Sequence, residues 1–219
     1  MNAFGLKLSG VKVDFDRKVI IVDDFYPDPD KIRNIALSAE YEKDGLKNYP
    51  GNNTKKPYWN DEVNSLFSKA IGEEVYPTPT SSCGHFRYTR ENDKSTQIIH
   101  FDPKPTQKWA GVVYLSLPEH YQGHDSDTKI YSHKKSGMMV APKDHIEAQK
   151  IGVTTIDDMK RFFETEGVDE SLWNVELNVP IKYNRLVLFR PWIWHGISSH
   201  FGDNISNCRL THLVFLDVK

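Results

Sequence analysis

Two cysteines in 219 residues cannot build a disulfide scaffold. Cys83 and Cys208 lie far apart along the chain and read as free thiols in a reducing compartment. The chain also lacks a charge excess. Its formal net charge is -2 with both signs interspersed, which excludes the broad basic surface of a generic nucleic-acid binder but not a local basic groove. No apolar run approaches the roughly 18 residues of a membrane span, and the N-terminus lacks the apolar core of a signal peptide. Internal repeats and low-complexity tracts are missing too. These absences lead to the expectation of a cytoplasmic protein without a membrane partner, long enough to bury a substantial core as one domain.

Helical signals dominate the first third. Residues 11–24 alternate enough for one or two strands. Asp28-Pro29-Asp30 then opens a helix, because Asp28 can accept from free amides and Pro29 suits the first helical position. Ile32, Ile35, Ala36 and Ala39 share one face of it, and Gly45 ends the pattern. A polar loop from Asn48 to Pro57 follows, either a substrate cover or a plain surface loop. Asn60 caps a second helix, in which Val63, Leu66, Phe67, Ala70 and Ile71 repeat at the spacing of a buried stripe and Gly72 closes it. Both helices should pack outside a sheet.

From Ser82 onward the chain turns β-rich. Strands are expected at Ser82–Thr89, Ile98–Asp102, Trp109–Leu117, Tyr183–Phe189 and Cys208–Leu216. Residues 119–180 are less regular and read as an insert walling a substrate pocket. It holds one helix opened by Thr155 and Asp158, with Met159, Phe162 and Phe163 as its apolar face and Gly167 as its stop. His124 and Asp127 in this stretch carry no further ligand, which argues against a metal site there.

The chemistry concentrates around His100-Phe101-Asp102. In a strand, residues i and i+2 point to one face, so His100 and Asp102 present an imidazole and a carboxylate side by side, with Phe101 behind. Pro103 biases Asp102 toward extended backbone at a strand end. His195 follows much later, after the apolar run Leu186-Val187-Leu188-Phe189 and two tryptophans, Trp192 and Trp194. Two His and one carboxylate on one ion leave positions open, which is the ligand set of non-haem Fe(II) oxygenases. His200 is the rival third ligand. Arg209 sits in the last apolar strand, where it either pairs with a core carboxylate or forks onto a bound one. With nine His in the chain an isolated H-x-D arises readily by chance, so the weight falls on the ordered set.

That ordered set, H-x-D, a long gap, H, then Arg in the following strand, resembles the 2-oxoglutarate-dependent Fe(II) oxygenase superfamily, nearest its prolyl-hydroxylase-like branch. Ile20 to Tyr26 resembles that branch's opening strand, Phe86-Arg87-Tyr88 its "R-Y" strand, and Trp109 to Ser116 its "vvYLn" strand. Gln122 to Gly137 is similar to a segment of a little-characterised oxygenase-like family of bacteria and phages. The likeness covers most of residues 18–217.

The resemblance implies an α+β fold with a mostly β core, a double-stranded β-helix or jelly roll with flanking N-terminal helices. Residues 1–219 would be a single domain, with the N-terminal strand and helices at 1–75 and the jelly-roll core at 82–217. It implies His100, Asp102 and His195 as ligands of Fe(II), with 2-oxoglutarate and dioxygen as co-substrates. Arg209 would take the far carboxylate of 2-oxoglutarate, assisted by Tyr114, with Tyr88 and Thr211 as further contacts. Tyr114 and Tyr88 are equally readable as core aromatics. The substrate would be peptidyl, an amino acid or a small molecule, hydroxylated as the keto acid is decarboxylated. Two other readings stand beside it, a jelly-roll protein that binds without turnover and a cupin-type metal dioxygenase without a keto acid. The sequence does not fix the oligomeric state.

Overall fold

The computed structural model describes residues 18–43, 50–79, 81–93, 98–102 and 107–219, together with the backbone of 12–14. The expected helix stop at Gly45, the first residues of the 48–57 loop and Pro103, expected at a strand end, lie outside the described residues. The fold is mixed α and β, mostly β, with two antiparallel sheets and few helices. No helix among the described residues is long and apolar enough to cross a membrane.

The larger sheet has nine strands: β1 (Lys12–Asp14), β2 (Val19–Val22), β3 (Tyr41–Lys43), β4 (Asn52–Thr54), β5 (Val75–Pro77), β6 (Phe86–Thr89), β8 (Trp109–Tyr114), β11 (Leu186–Phe189) and β13 (Arg209–Val218). Its order is β1-β2-β11-β8-β13-β6-β4-β3, with β5 also paired to β13. The smaller sheet runs β10 (Trp173–Val179), β9 (Thr128–His133), β12 (His195–Gly196), β7 (Ile99–His100).

Helices α1 (Pro29–Ser38) and α2 (Asp61–Ile71) cover the outer face of the larger sheet. Their starts follow the sequence signals. Asp28 accepts from Lys31 N at 3.1 Å and Asn60 from Val63 N at 2.9 Å. Gly72 ends α2 at φ 84°, a left-handed conformation that a Cβ would strain. The buried stripe of α2 joins the helix-side core as expected through Phe67 and Ala70. The face of α1 does so in part: Ala36 is buried and Ile32 packs against the same core. Ile35 is exposed, whereas Arg33 is buried because its guanidinium donates to Leu115 O at 2.8 Å and Ser206 O at 2.7 Å.

Strand alternation distributes β8 between two cores. Trp109, Val113 and, just past the strand, Leu115 join the helix-side core, while Ala110 and Tyr114 face the smaller sheet with Val187 and Ile130. Behind the smaller sheet lies a third cluster of Ile99, Tyr131, Phe162, Trp173 and Trp194. The layers are therefore helix, sheet, sheet, helix.

Residues 119–180 are not an insert in the structural sense. They supply β9 and β10, half of the smaller sheet, and α5 (Ile156–Thr165) behind it; α3 (Pro118–Tyr121) and α4 (His145–Lys150) are short. The Thr155–Asp158 capping box is formed in both directions, and Phe162 is buried. α5 ends at Thr165, ahead of Gly167. Gly167 serves a close approach instead: a Cβ there would stand 2.9 Å from Ile99 O, on the strand that carries His100. The expected pocket wall is thus mainly a back wall, since only Thr128 from this stretch lines the cavity described below.

Candidate metal centre

His100 ends β7 and His195 opens β12, and the antiparallel register sets them directly opposite each other. Opposed residues of such a pair have Cβ atoms about 4.5–5.5 Å apart on one face. The two imidazole centroids are accordingly 4.5 Å apart. Asp102, two residues beyond His100, returns to the same side, and Phe101 points back to pack edge-on against Trp194 at 4.9 Å. The backbone N of Asp102 donates to Pro191 O at 2.8 Å, which ties the carboxylate to the segment leading into His195.

One ligand atom from each of His100, Asp102 and His195 lies within 4.8 Å of the others, close enough to share one metal ion. His195 Nε2 is 3.7 Å from an Asp102 carboxylate oxygen. On the ring's other side, Nδ1 is 2.9 Å from Ile193 O. A carbonyl only accepts, so Nδ1 carries the hydrogen and Nε2 keeps its lone pair facing Asp102, the orientation a metal ligand needs. Burial holds both imidazoles neutral. It pushes His100 down to about 4, with the neighbouring His195 adding to the shift and Asp102 opposing it, and it lowers His195 as well. Neutral imidazoles and a carboxylate are the protonation states that bind a divalent ion.

Facing this group from the larger sheet is Arg209, 3% exposed. Its Nε and Nη2 meet no hydrogen-bond partner among the described residues. Burial lowers its pKa, as expected for a cation out of water. An arginine so placed is costly unless an anion joins it. Both groups line one cavity that opens to solvent.

The sequence matches the model of a family of unknown function, DUF6445, over residues 6–216. The chain belongs to this family. No curated protein matches it.

In this DUF6445 chain the remaining expected residues divide. Tyr114 lies under the Arg209 guanidinium, with its ring centroid 5.4 Å from Cζ, and its hydroxyl is 2.5 Å from Thr128 Oγ1 at the cavity wall. Thr211 is fully buried between Arg209 and Leu213 on the cavity-facing side of β13, with Oγ1 3.5 Å from Arg87 O. Tyr88 is a correction. The register sets it opposite Leu210, in the helix-side core. Its ring packs on Tyr41 at 4.9 Å and its hydroxyl accepts from Asn52 Nδ2, so it faces away from the cavity. His200 lines the cavity but stands outside the three-ligand group. His124 and Asp127 form no metal group either; Asp127 accepts from Ile181 N and Asn178 Nδ2. Trp194 packs behind the smaller sheet and Trp192 is 39% exposed, so neither shapes the cavity.

Sequence reasoning missed Arg87 and Thr128. Arg87 lines the cavity because Phe86 and Tyr88 take the core face of β6, an alternation the sequence already carries. Thr128 gave no signal, because the stretch around it was not expected to be a strand. Gly196 is needed next to His195: a Cβ there would stand 2.2 Å from Ile98 O.

Proposed function

We propose that this protein is an Fe(II)- and 2-oxoglutarate-dependent dioxygenase that hydroxylates a small-molecule, amino-acid or peptidyl substrate. One observation carries the reading: a His-Asp-His group within reach of one ion shares a cavity with a buried arginine, two of whose nitrogens meet no partner among the described residues. The two facing antiparallel sheets, with the ligands on the inner side of the smaller one, suit a double-stranded β-helix. The resemblance of the ordered motif points the same way.

His100, Asp102 and His195 would hold Fe(II), and the donor set of two imidazoles and one carboxylate fits it. Bound Fe(II) and 2-oxoglutarate supply the oxidising chemistry, whose balance is substrate C–H plus dioxygen plus 2-oxoglutarate giving C–OH, succinate and carbon dioxide. The chain's own part is positioning. Arg209 would grip the far carboxylate of the keto acid through its fork, which offsets the cost of its burial. The Tyr114 ring supports that guanidinium from below, and the short Tyr114–Thr128 bond closes the wall beside it. Phe189, 4.3 Å from the His195 ring, shields the inner side of the centre from water. Ile193 O fixes the His195 tautomer, so the ring does not have to shed a proton or turn before it binds.

The test is an anaerobic titration with Fe(II) and then 2-oxoglutarate, followed in the visible range. A weak charge-transfer band should grow with the keto acid and vanish in both His100→Ala and Arg209→Ala. Iron binding that ignores the keto acid, or no iron binding at all, would sink the proposal.

A further inference from the structure

The cavity contains more basic groups than the metal and one keto acid require. Besides the three ligands and Arg209 it is lined by Arg87 and His200, and Asp102 is the sole acid among its described lining residues. This basic concentration sits in a chain of net charge -2. Thr89 is the partner of Arg209 and Arg87 the partner of Thr211, so the two arginines are diagonal neighbours on one face of adjacent strands, roughly 7–8 Å apart. They are not equivalent. Arg209 is at the buried end, whereas Arg87 is only partly buried and its Nε donates to Asn53 Oδ1 at 2.7 Å, which sets the plane of its fork.

His200 stands near both. Its Nδ1 is buried without a hydrogen-bond partner among the described residues. Burial, then the Arg209 charge, pushes its pKa down to about 4, so at neutral pH the ring is uncharged and able to donate one hydrogen bond. The apolar lining of the same cavity includes Ile98 and Ile197.

Resting on the oxygenase reading above, we infer that the substrate to be hydroxylated is a small carboxylic acid whose carboxylate is held by Arg87 and His200. Its body lies on Ile98 and Ile197, which directs a carbon toward the metal side of the cavity. Arg209 serves the co-substrate and Arg87 the substrate.

The test uses the full chain loaded with Mn(II) and saturating N-oxalylglycine, an unreactive analogue of 2-oxoglutarate that fills the metal and Arg209 positions. Two fluorinated acids, 4-fluorophenylacetate and 5-fluoropentanoate, are added in turn, each beside its neutral amide. Fluorine NMR line broadening by the nearby Mn(II) reports binding without any turnover. At least one acid should broaden while its amide stays narrow. Arg87→Gln should weaken that binding about tenfold or more, the loss typical of a hydrogen-bonded charge, while N-oxalylglycine still binds. Arg87→Lys should keep part of it, and His200→Phe should weaken it less than Arg87→Gln. The inference is overturned if neither acid broadens, if acid and amide broaden alike, or if Arg87→Gln abolishes N-oxalylglycine binding, since Arg87 would then serve the co-substrate. Failure of N-oxalylglycine to bind the unaltered chain would instead remove the oxygenase reading itself.

Discussion

The nine-stranded and four-stranded sheets share an apolar interior but are held together by different means. In the larger sheet β13 pairs with β8 over six positions, Thr211 to Leu216, and also with β6 and β5. Its outer face is sealed by Phe25, Phe67, Phe86 and Trp109 under the two N-terminal helices. In the smaller sheet β12 meets β7 over two positions, and one of those is the pair of imidazoles. What holds that ladder is the aromatic cluster behind it, where Trp194 lies within about 5 Å of Trp173 and Phe101. Long ladders and helices carry the stability of the fold. The ligand-bearing strands have little pairing of their own and depend on what packs behind them and on what binds in front.

Substitutions in each sheet test this contrast. The largest expected effect is on the larger sheet. Phe67 is fully buried and packs on Trp59 at 5.0 Å and Phe25 at 4.7 Å. Phe67→Ala should lower the unfolding free energy by about 3–5 kcal/mol in urea titrations. The loss should be equal with and without divalent metal; an unequal loss would show that the sheets are coupled.

Metal should act on the other sheet. A divalent ion at a hundredfold over its dissociation constant should raise stability by about 2.7 kcal/mol by mass action. The gain should disappear in His195→Ala, and its persistence there would place the ion elsewhere.

Gly196→Ala is a finer probe. The added methyl meets Ile98 O, so β12 must move away from β7. Metal affinity should fall by about tenfold, the order seen when groups that orient ligands are lost. Calorimetric titration checks this, and an unchanged affinity would mean that strand spacing does not set the site.

Acid should touch both regions by a smaller amount. Burial holds His212, on the helix side of β13, and His100, in the site, at about 4, below the ordinary imidazole value of 6.5. The unfolded chain therefore takes up protons that the folded one refuses between pH 6.5 and 4. Stability of the metal-free protein should fall as pH drops through that window, by about 1 kcal/mol per imidazole at pH 5.5. His212→Gln should flatten only the share from the larger sheet, as read from unfolding midpoints against pH.

The legible parts of the sequence were those where one local rule decides. Asp28, Asn60 and Thr155 begin helices because each can cap free amides, and the α2 stripe buries because its period is helical. The ligand set was legible through spacing, since i and i+2 share a face whatever the fold. Long-range pairing hid the rest. Thr128 to His133 is buried throughout, yet it mixes Lys, Ser and His with Ile and Tyr, because both faces of β9 are covered and its polar groups find partners: Lys129 binds Asp125, and His133 binds Glu166. No alternation marks such a strand. Arg33 was hidden for the same reason, as its carbonyl acceptors come from distant loops. Tyr88, by contrast, was legible: the alternation of β6 sets it with Phe86 on the helix-side face, opposite Leu210.

The direct opposition of residues 195 and 100 makes the centre all-or-none. A slip of one residue between their strands would turn one imidazole onto the Trp194 side, since neighbouring positions face opposite ways. A slip of two would restore the facing but carry the ring past its partner. No intermediate alignment exists, so strand pairing can switch the ion's seat on or off but cannot adjust it gradually. Gradual adjustment of reactivity falls to the groups around the rings, the Ile193 carbonyl behind one of them and the Phe189 face beneath it.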